Sequence, residues 1–499
     1  MGERRESDTV VVGTGFSGLG MAIRLRTDGR DDFVVLEKAD DLGGTWRDNT
    51  YPGCACDVPS HLYSYSFAQN PGWTRSFSGQ PEILDYLRGI AERHDLLRSI
   101  HFGVAVTGAR WDADEQRWHV ATAAGDDYVC RYLVAGVGAL HLPHTPELPG
   151  VGSFRGERFH SARWNHDYDL TGKRVAVIGT GASAIQFVPR IAPHVAELHL
   201  FQRTAPWVMP KPDHPMPSWA RTVFDQVPLA QRAYRTLLYW MLEARAIGFN
   251  NHHGLLKVAQ RVAERNIRRH VDDPRLRAEL TPDYLLGCKR VLISNDYYPT
   301  FARDNVHLVT DRIADVREHS IVDSTGVRRE VDAIIYGTGF HVTDAFDHLD
   351  ITGRDGLALN ELWAAHGMQT YKGITVRGFP NAFFLLGPNT GLGHNSVVLM
   401  IESQIRYVSA AMRLADRRGA GAMEVTEAAQ RDFQADIQGR LRRGIWTQGG
   451  CTSWYLDAEG VNRTIWPGFT FQYRAGTREV DQAAYEFTAV HAPRPTSAA

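Results

Sequence analysis

The stretch TVVVGTGFSGLGMAIRL, Thr9–Leu25, decides the fold. Val10, Val11 and Val12 are a β-branched run of the kind found in a parallel strand buried on both faces. Gly13, Gly15 and Gly18 follow as GxGxxG, and Leu19 to Leu25 continue with helical character. In that pattern the first glycine makes a tight turn, the second lets backbone approach a pyrophosphate, and the third lets helix and strand pack closely. The helix N-terminus then faces the phosphates. A second strand, DFVVLEK, carries Glu37, 24 residues after Gly13, about where an acid meets a ribose hydroxyl.

The pattern recurs. KRVAVIGTGASAIQFVPRI starts at Lys173, with Gly179 and Gly181 in the first two glycine places and Ala184 in the third. Its next strand, ELHLFQR, ends at Arg203, again 24 residues on, but with a cation where the first unit has an anion. A free ribose hydroxyl suits the acid, whereas a 2′-phosphate suits arginine. The first unit is therefore expected to hold FAD and the second NADP(H), with Thr204 and Lys289 able to share the phosphate.

The fold class expected is α/β, two Rossmann-like dinucleotide-binding domains with a mostly helical insertion. Residues 1–145 and 341–499 are assigned to the FAD domain, 150–205 and 288–340 to the NADP domain, and 206–287 to the insertion. The Pro-rich connector LHLPHTPELPG separates the two nucleotide units. FDQVPLAQRAYRTLLYWMLEARAIGF, Phe224–Phe249, has apolar residues at helical spacing and is expected to pack mainly as core while roofing a substrate cavity. VVLMIESQIRYVSAAMRL, Val397–Leu414, reads as a helix returning to the first domain, and the final APRPTSAA reads as frayed.

Composition narrows the partners. A chain of 499 residues exceeds a single typical domain, and its 43% hydrophobic content suffices for packed cores. A formal net charge of −2 argues against nucleic acid or an anionic membrane as the main partner. No apolar run is long enough to span a bilayer, and the N-terminus shows no signal-peptide core, so a cytoplasmic monomer or weak homo-oligomer is expected. Cys54, Cys56, Cys130, Cys288 and Cys451 are odd in number and scattered, and read as reduced thiols. Cys54 and Cys56 form CxC rather than the CxxC of a disulfide reductase, and no metal-ligand spacing stands out.

GGTWRDNTYPGCACD, Gly43–Asp57, resembles a fingerprint of type I flavin-containing Baeyer–Villiger monooxygenases. FRGERFHSARWN, Phe154–Asn165, resembles their defining signature through Phe154, Gly156, His160 and Trp164, with Asn165 departing at the last place. GCKRVLISNDYYPTFARDNVHLV resembles the segment bearing the family's Lys-Arg pair, here Lys289 and Arg290; YGTGF and SWYLDAEGVNRTIWPG match later motifs. The GPNTGLGHNS loop and the C-terminus look closest to the branch acting on aryl and other bulky ketones.

The resemblance implies NADPH- and O2-dependent conversion of a ketone to an ester or lactone through a peroxyflavin, with sulfide oxidation as a further capacity. It implies Arg290 and Asp57 as the catalytic pair, His160 as an orienting residue in an interdomain linker, and Trp454 near the nicotinamide. Cofactor-binding positions are expected at Gly13, Gly15, Phe16, Ser17, Gly18, Glu37, Lys38, Gly44, Thr45, Trp46, Asp57, Tyr63, Val106, Gly179, Thr180, Gly181, Ala182, Ser183, Arg203, Thr204, Lys289, Arg290, Thr338, Gly339, Asn395 and Trp454. An N- or S-oxygenating flavin monooxygenase and a non-oxygenating redox flavoprotein remain the alternative readings.

Overall fold

The structure is a computed structural model and describes residues 2–490 apart from 251, 343 and 345. The expected frayed tail lies outside the described residues.

Two sheets organise the chain. The first is centred on the strand Arg4–Val12, which pairs in parallel with Phe33–Leu36 on one side and Asp127–Ala135 on the other. Beyond Phe33–Leu36 lies Ile100–His101. Beyond Asp127–Ala135 an antiparallel ribbon, Arg117–Thr122 and Val106–Asp112, extends the sheet to Asp350–Thr352. Ala382–Phe384 pairs with the C-terminal half of Asp127–Ala135, so the chain re-enters this sheet after building the second.

The second sheet is wholly parallel, in the order Val306–Val309, Glu197–Phe201, Arg174–Ile178, Ala333–Tyr336, Glu157–His160. Its central strands are buried on both faces, as the Val/Ile/Ala-rich runs require. The helix Val397–Arg417 packs on Phe16–Thr27 so closely that a Cβ on Gly20 would stand 2.6 Å from Ile405 Cδ1.

The insertion is mostly helical, with Ser218–Gln226, Pro228–Glu243, Ala246–Asn250, His253–His270 and Pro274–Glu279. Among its described residues only Pro206 and Tyr284 line the main cavity, so these do not roof it. Its aromatic residues divide instead between packing, with Phe224 and Tyr234 against His61, and open surface at Trp240.

The cysteine expectation is corrected. Cys288 and Cys451, 163 residues apart in sequence, are joined in a disulfide with Cα atoms 6.1 Å apart. Folding brings the loop before Lys289 against the loop before Trp454, a proximity that no local spacing announces. Cys54, Cys56 and Cys130 are free. Burial pushes the Cys54 thiol up to about 12 and raises Cys56 as well, so neither carries the low-pKa thiolate of a redox pair.

Candidate active site

Both glycine-rich turns open at the C-terminal ends of central parallel strands, where doubly wound sheets bind ligands. Gly13 has φ +96°, and a Cβ there would stand 2.8 Å from the Gly136 carbonyl oxygen. Gly179 has φ +104°, and its Cβ would stand 2.5 Å from the Gly337 oxygen. Gly18 makes the closest approach: a Cβ would meet Gly13 O at 1.8 Å. That explains why Gly18, alone among the expected cofactor positions, does not line the cavity; it lets helix and strand pack. Helices Phe16–Thr27 and Ala184–Ile191 begin without a side-chain cap and without an acid in the first turn. Their N–H groups remain available to an anion.

One cavity of about 1210 Å³ joins the two cradles. It is lined by every other expected cofactor residue, from Gly13, Glu37 and Trp46 through Arg203 and Lys289 to Asn395 and Trp454. Glu37 is buried with its carboxylate fixed: Thr14 N and Oγ1 donate at 3.0 and 2.5 Å, Ala39 N at 3.0 Å and Arg47 Nη1 at 2.8 Å. A carboxylate held in one rotamer on the cavity wall fits a ribose hydroxyl. Across the cavity Arg203 and Lys289 are neighbours. Burial, and then the Arg203 charge, lowers the Lys289 pKa, while its Nζ lies 5.0 Å from the Tyr284 ring centre. Two adjacent cations beside Gly179–Ser183 fit a phosphate with no 2′-hydroxyl partner required.

Arg290 and Asp57, 233 residues apart, meet in a bidentate pair. Nε donates to Oδ2 at 2.8 Å and Nη2 to Oδ1 at 2.7 Å. No hydrogen bond among the described residues takes Nη1. The Asp57 charge raises the Arg290 pKa further, and 33% of the Arg290 side chain stays open toward the cavity. Trp454, which is 44% exposed, lines the same space and packs on Tyr455 at 4.4 Å.

The signature Phe154–Asn165 lines none of the cavity. Rather than a free linker, its middle is the edge strand Glu157–His160 of the second sheet. Phe154 is buried beside Ile178 and Phe201, and a Cβ on Gly156 would meet Asp332 O at 2.3 Å. His160 Nδ1 accepts from Ala162 N at 3.1 Å, and burial lowers its pKa to about 4, so the ring is neutral near pH 7. Trp164 packs between Phe159 and Phe187. Asn165 Oδ1 accepts from Asp167 N at 3.0 Å while Nδ2 donates to Glu157. The turn needs a side-chain acceptor there, which Asn and Asp supply equally.

Two residues escaped the sequence reading. Gln186 bridges the second cradle's helix to the Asp57 loop, accepting from Tyr51 Oη at 2.9 Å and donating to Ala55 O at 2.9 Å. Glu243 ends the helix Pro228–Glu243 with its side chain 1% exposed. It accepts from Thr470 N and Oγ1 at 2.5 and 2.6 Å, from Phe471 N at 3.3 Å and from Asn395 Nδ2 at 2.6 Å. Burial opposes its charge, but His394, Thr470 and Asn395 outweigh that and hold its pKa below the ordinary value. No motif marks Gln186 or Glu243, because their partners are remote in sequence.

Two dinucleotide cradles facing one cavity, with a cationic fork between them, define a flavin- and nicotinamide-dependent oxidoreductase. The family model for flavin-binding monooxygenase-like proteins matches residues 7–352, and the chain belongs to that family. It is 50% identical over 485 residues, 97% of this chain and 92% of the other, to a Baeyer–Villiger monooxygenase of Pseudomonas aeruginosa. A Baeyer–Villiger monooxygenase of Streptomyces coelicolor is 48% identical over 95% of this chain and 92% of its own. Among solved structures, an oxidized steroid monooxygenase bound to NADP superposes with a TM-score of 0.87 at 34% identity, covering 97% of this chain and 99% of the other. The cyclohexanone monooxygenase of Rhodococcus sp. Phi1 bound to NADP+ gives 0.87 at 28% identity, covering 98% and 100%.

Proposed function

We infer that the chain is an FAD-containing, NADPH- and O2-dependent Baeyer–Villiger monooxygenase that converts a ketone to an ester or lactone. The observation that carries this reading is the bidentate Arg290–Asp57 pair on a cavity that joins two dinucleotide cradles. The flavin, when bound, accepts hydride from NADPH and activates dioxygen. The protein's own residues do the rest.

Residues 1–145 and 341–499 form the FAD unit in this reading, and 150–205 with 288–340 the NADP unit. The Gly13–Ser17 turn takes the FAD pyrophosphate and Glu37 the adenosine ribose; Gly179–Ser183 takes the NADP pyrophosphate and Arg203 with Lys289 the 2′-phosphate. Arg290 keeps its charge at every working pH. Asp57 immobilises Nε and Nη2, so that Nη1 is aimed without reorganisation at the oxyanion that develops on the attacked carbonyl. Trp454 restricts water at the mouth. A cytoplasmic setting supplies NADPH.

A panel of aryl, steroid and cyclic ketones with NADPH tests the reading. Ester or lactone from at least one ketone supports it; NADPH oxidation with every ketone recovered unchanged overturns it.

A further inference from the structure

We propose that the outer face of the insertion helix Pro228–Glu243, continued by Phe469 and Phe471, docks on an anionic lipid bilayer. A solvent-facing helix surface is ordinarily polar. Here Leu229, Ala233, Leu237, Trp240, Met241 and Ala244 are all exposed along it, with Arg232 and Thr236 interspersed. Leu229 is 71% exposed, Met241 60% and Trp240 54%. The stripe does not stop at the helix end. The Trp240 ring lies 6.1 Å from Phe471, itself exposed and stacked on Phe469 at 5.0 Å. A contiguous exposed apolar ridge of this kind marks an interaction site.

The occupant follows from charge. Although the chain is nearly neutral, the helix Pro228–Glu243 exposes Arg232 and no acidic side chain, its one acid, Glu243, being buried. Beside the ridge Arg232, Arg474 and Arg478 are exposed and form no ion pair among the described residues. Burial, and then nearby Arg474, lowers the pKa of Arg406, which places a further cation in the same cluster. An apolar ridge carrying Trp and Leu, rimmed by unpaired arginines, is the pattern of an interfacial helix on acidic lipid. A second copy fits less well, because a two-fold contact would set this arginine rim against itself.

The test is sedimentation of the FAD-loaded enzyme with phosphatidylcholine vesicles, with and without phosphatidylglycerol. Binding is expected only with the anionic lipid, and should weaken as salt rises. Leu229→Glu/Leu237→Glu and, separately, Arg474→Glu/Arg478→Glu should each lower the bound fraction at least about tenfold. Flavin content and turnover of a water-soluble ketone should stay unchanged, which separates lost docking from lost folding. Equal recovery in the supernatant with and without anionic vesicles overturns the proposal. So does dimerisation on size exclusion that the Leu229→Glu/Leu237→Glu pair abolishes while vesicles bind nothing.

Discussion

Replacing Arg290 by alanine separates the two halves of the reaction. The variant loses two charge-assisted hydrogen bonds, at 2.8 and 2.7 Å, and leaves Asp57 without its counter-ion. Breaking a fully buried pair costs ~3–5 kcal/mol. With 33% and 26% of the two side chains exposed, solvent screens part of that, and about 2 kcal/mol is the expected loss of stability. The catalytic loss is larger. Removing one preorganised oxyanion donor lowers the rate by ~10²–10³, and hydride transfer between the two cradles does not require that donor. Arg290→Ala should therefore still consume NADPH, release hydrogen peroxide and make little ester. Arg290→Lys should fail in the same way, because a point charge cannot hold Asp57 in a fork while offering a third nitrogen. Product chromatography beside a peroxide assay reads both outcomes. An ester yield equal to wild type from Arg290→Ala would remove this residue from the chemistry.

Arg203→Ala should raise the KM for NADPH roughly tenfold or more, as expected for about 1.5–3 kcal/mol in a charge-assisted phosphate contact, and leave NADH nearly unaffected; equal loss with both coenzymes would refute phosphate recognition. Glu243→Ala should lower stability by about 3 kcal/mol and weaken cofactor retention through Asn395, with Glu243→Gln costing less; unchanged denaturation and flavin content would show that the cluster positions nothing. Burial holds His61, His141 and His160 at about 4 against an ordinary 6.5. Between those values the unfolded chain binds protons that the folded chain does not, so stability should fall as pH drops from 6.5 to 4 and be insensitive to these groups above 7. A urea midpoint that stays constant across that window would contradict the burial of these rings.

The parts of this molecule that were legible in the sequence are local in sequence. The turns at Gly13 and Gly179 each follow a β-branched strand by one residue, and Glu37 and Arg203 sit one βαβ step further on, so motif and geometry coincide. The helix Val397–Arg417 followed from its own periodicity. What stayed hidden depends on contacts between distant segments. The Cys288–Cys451 bond closes a span of 163 residues, and Glu243 reaches Thr470 across 227. The signature around His160 named a family without disclosing that its middle would form a sheet edge, because an edge strand of four residues carries almost no periodicity. The apolar positions after Pro228 looked like core, since a helix pattern records amphipathicity but not which face meets solvent.

Oxygenation of a bulky aryl ketone by the FAD-loaded enzyme with NADPH under ¹⁸O2, followed by mass spectrometry of the product, tests ketone monooxygenation most directly. The expected result is an ester carrying one ¹⁸O atom, with the second ¹⁸O atom in water. NADPH oxidation that yields only labelled hydrogen peroxide across the ketone panel, or labelled oxygen found only on an added amine or sulfide, would contradict it.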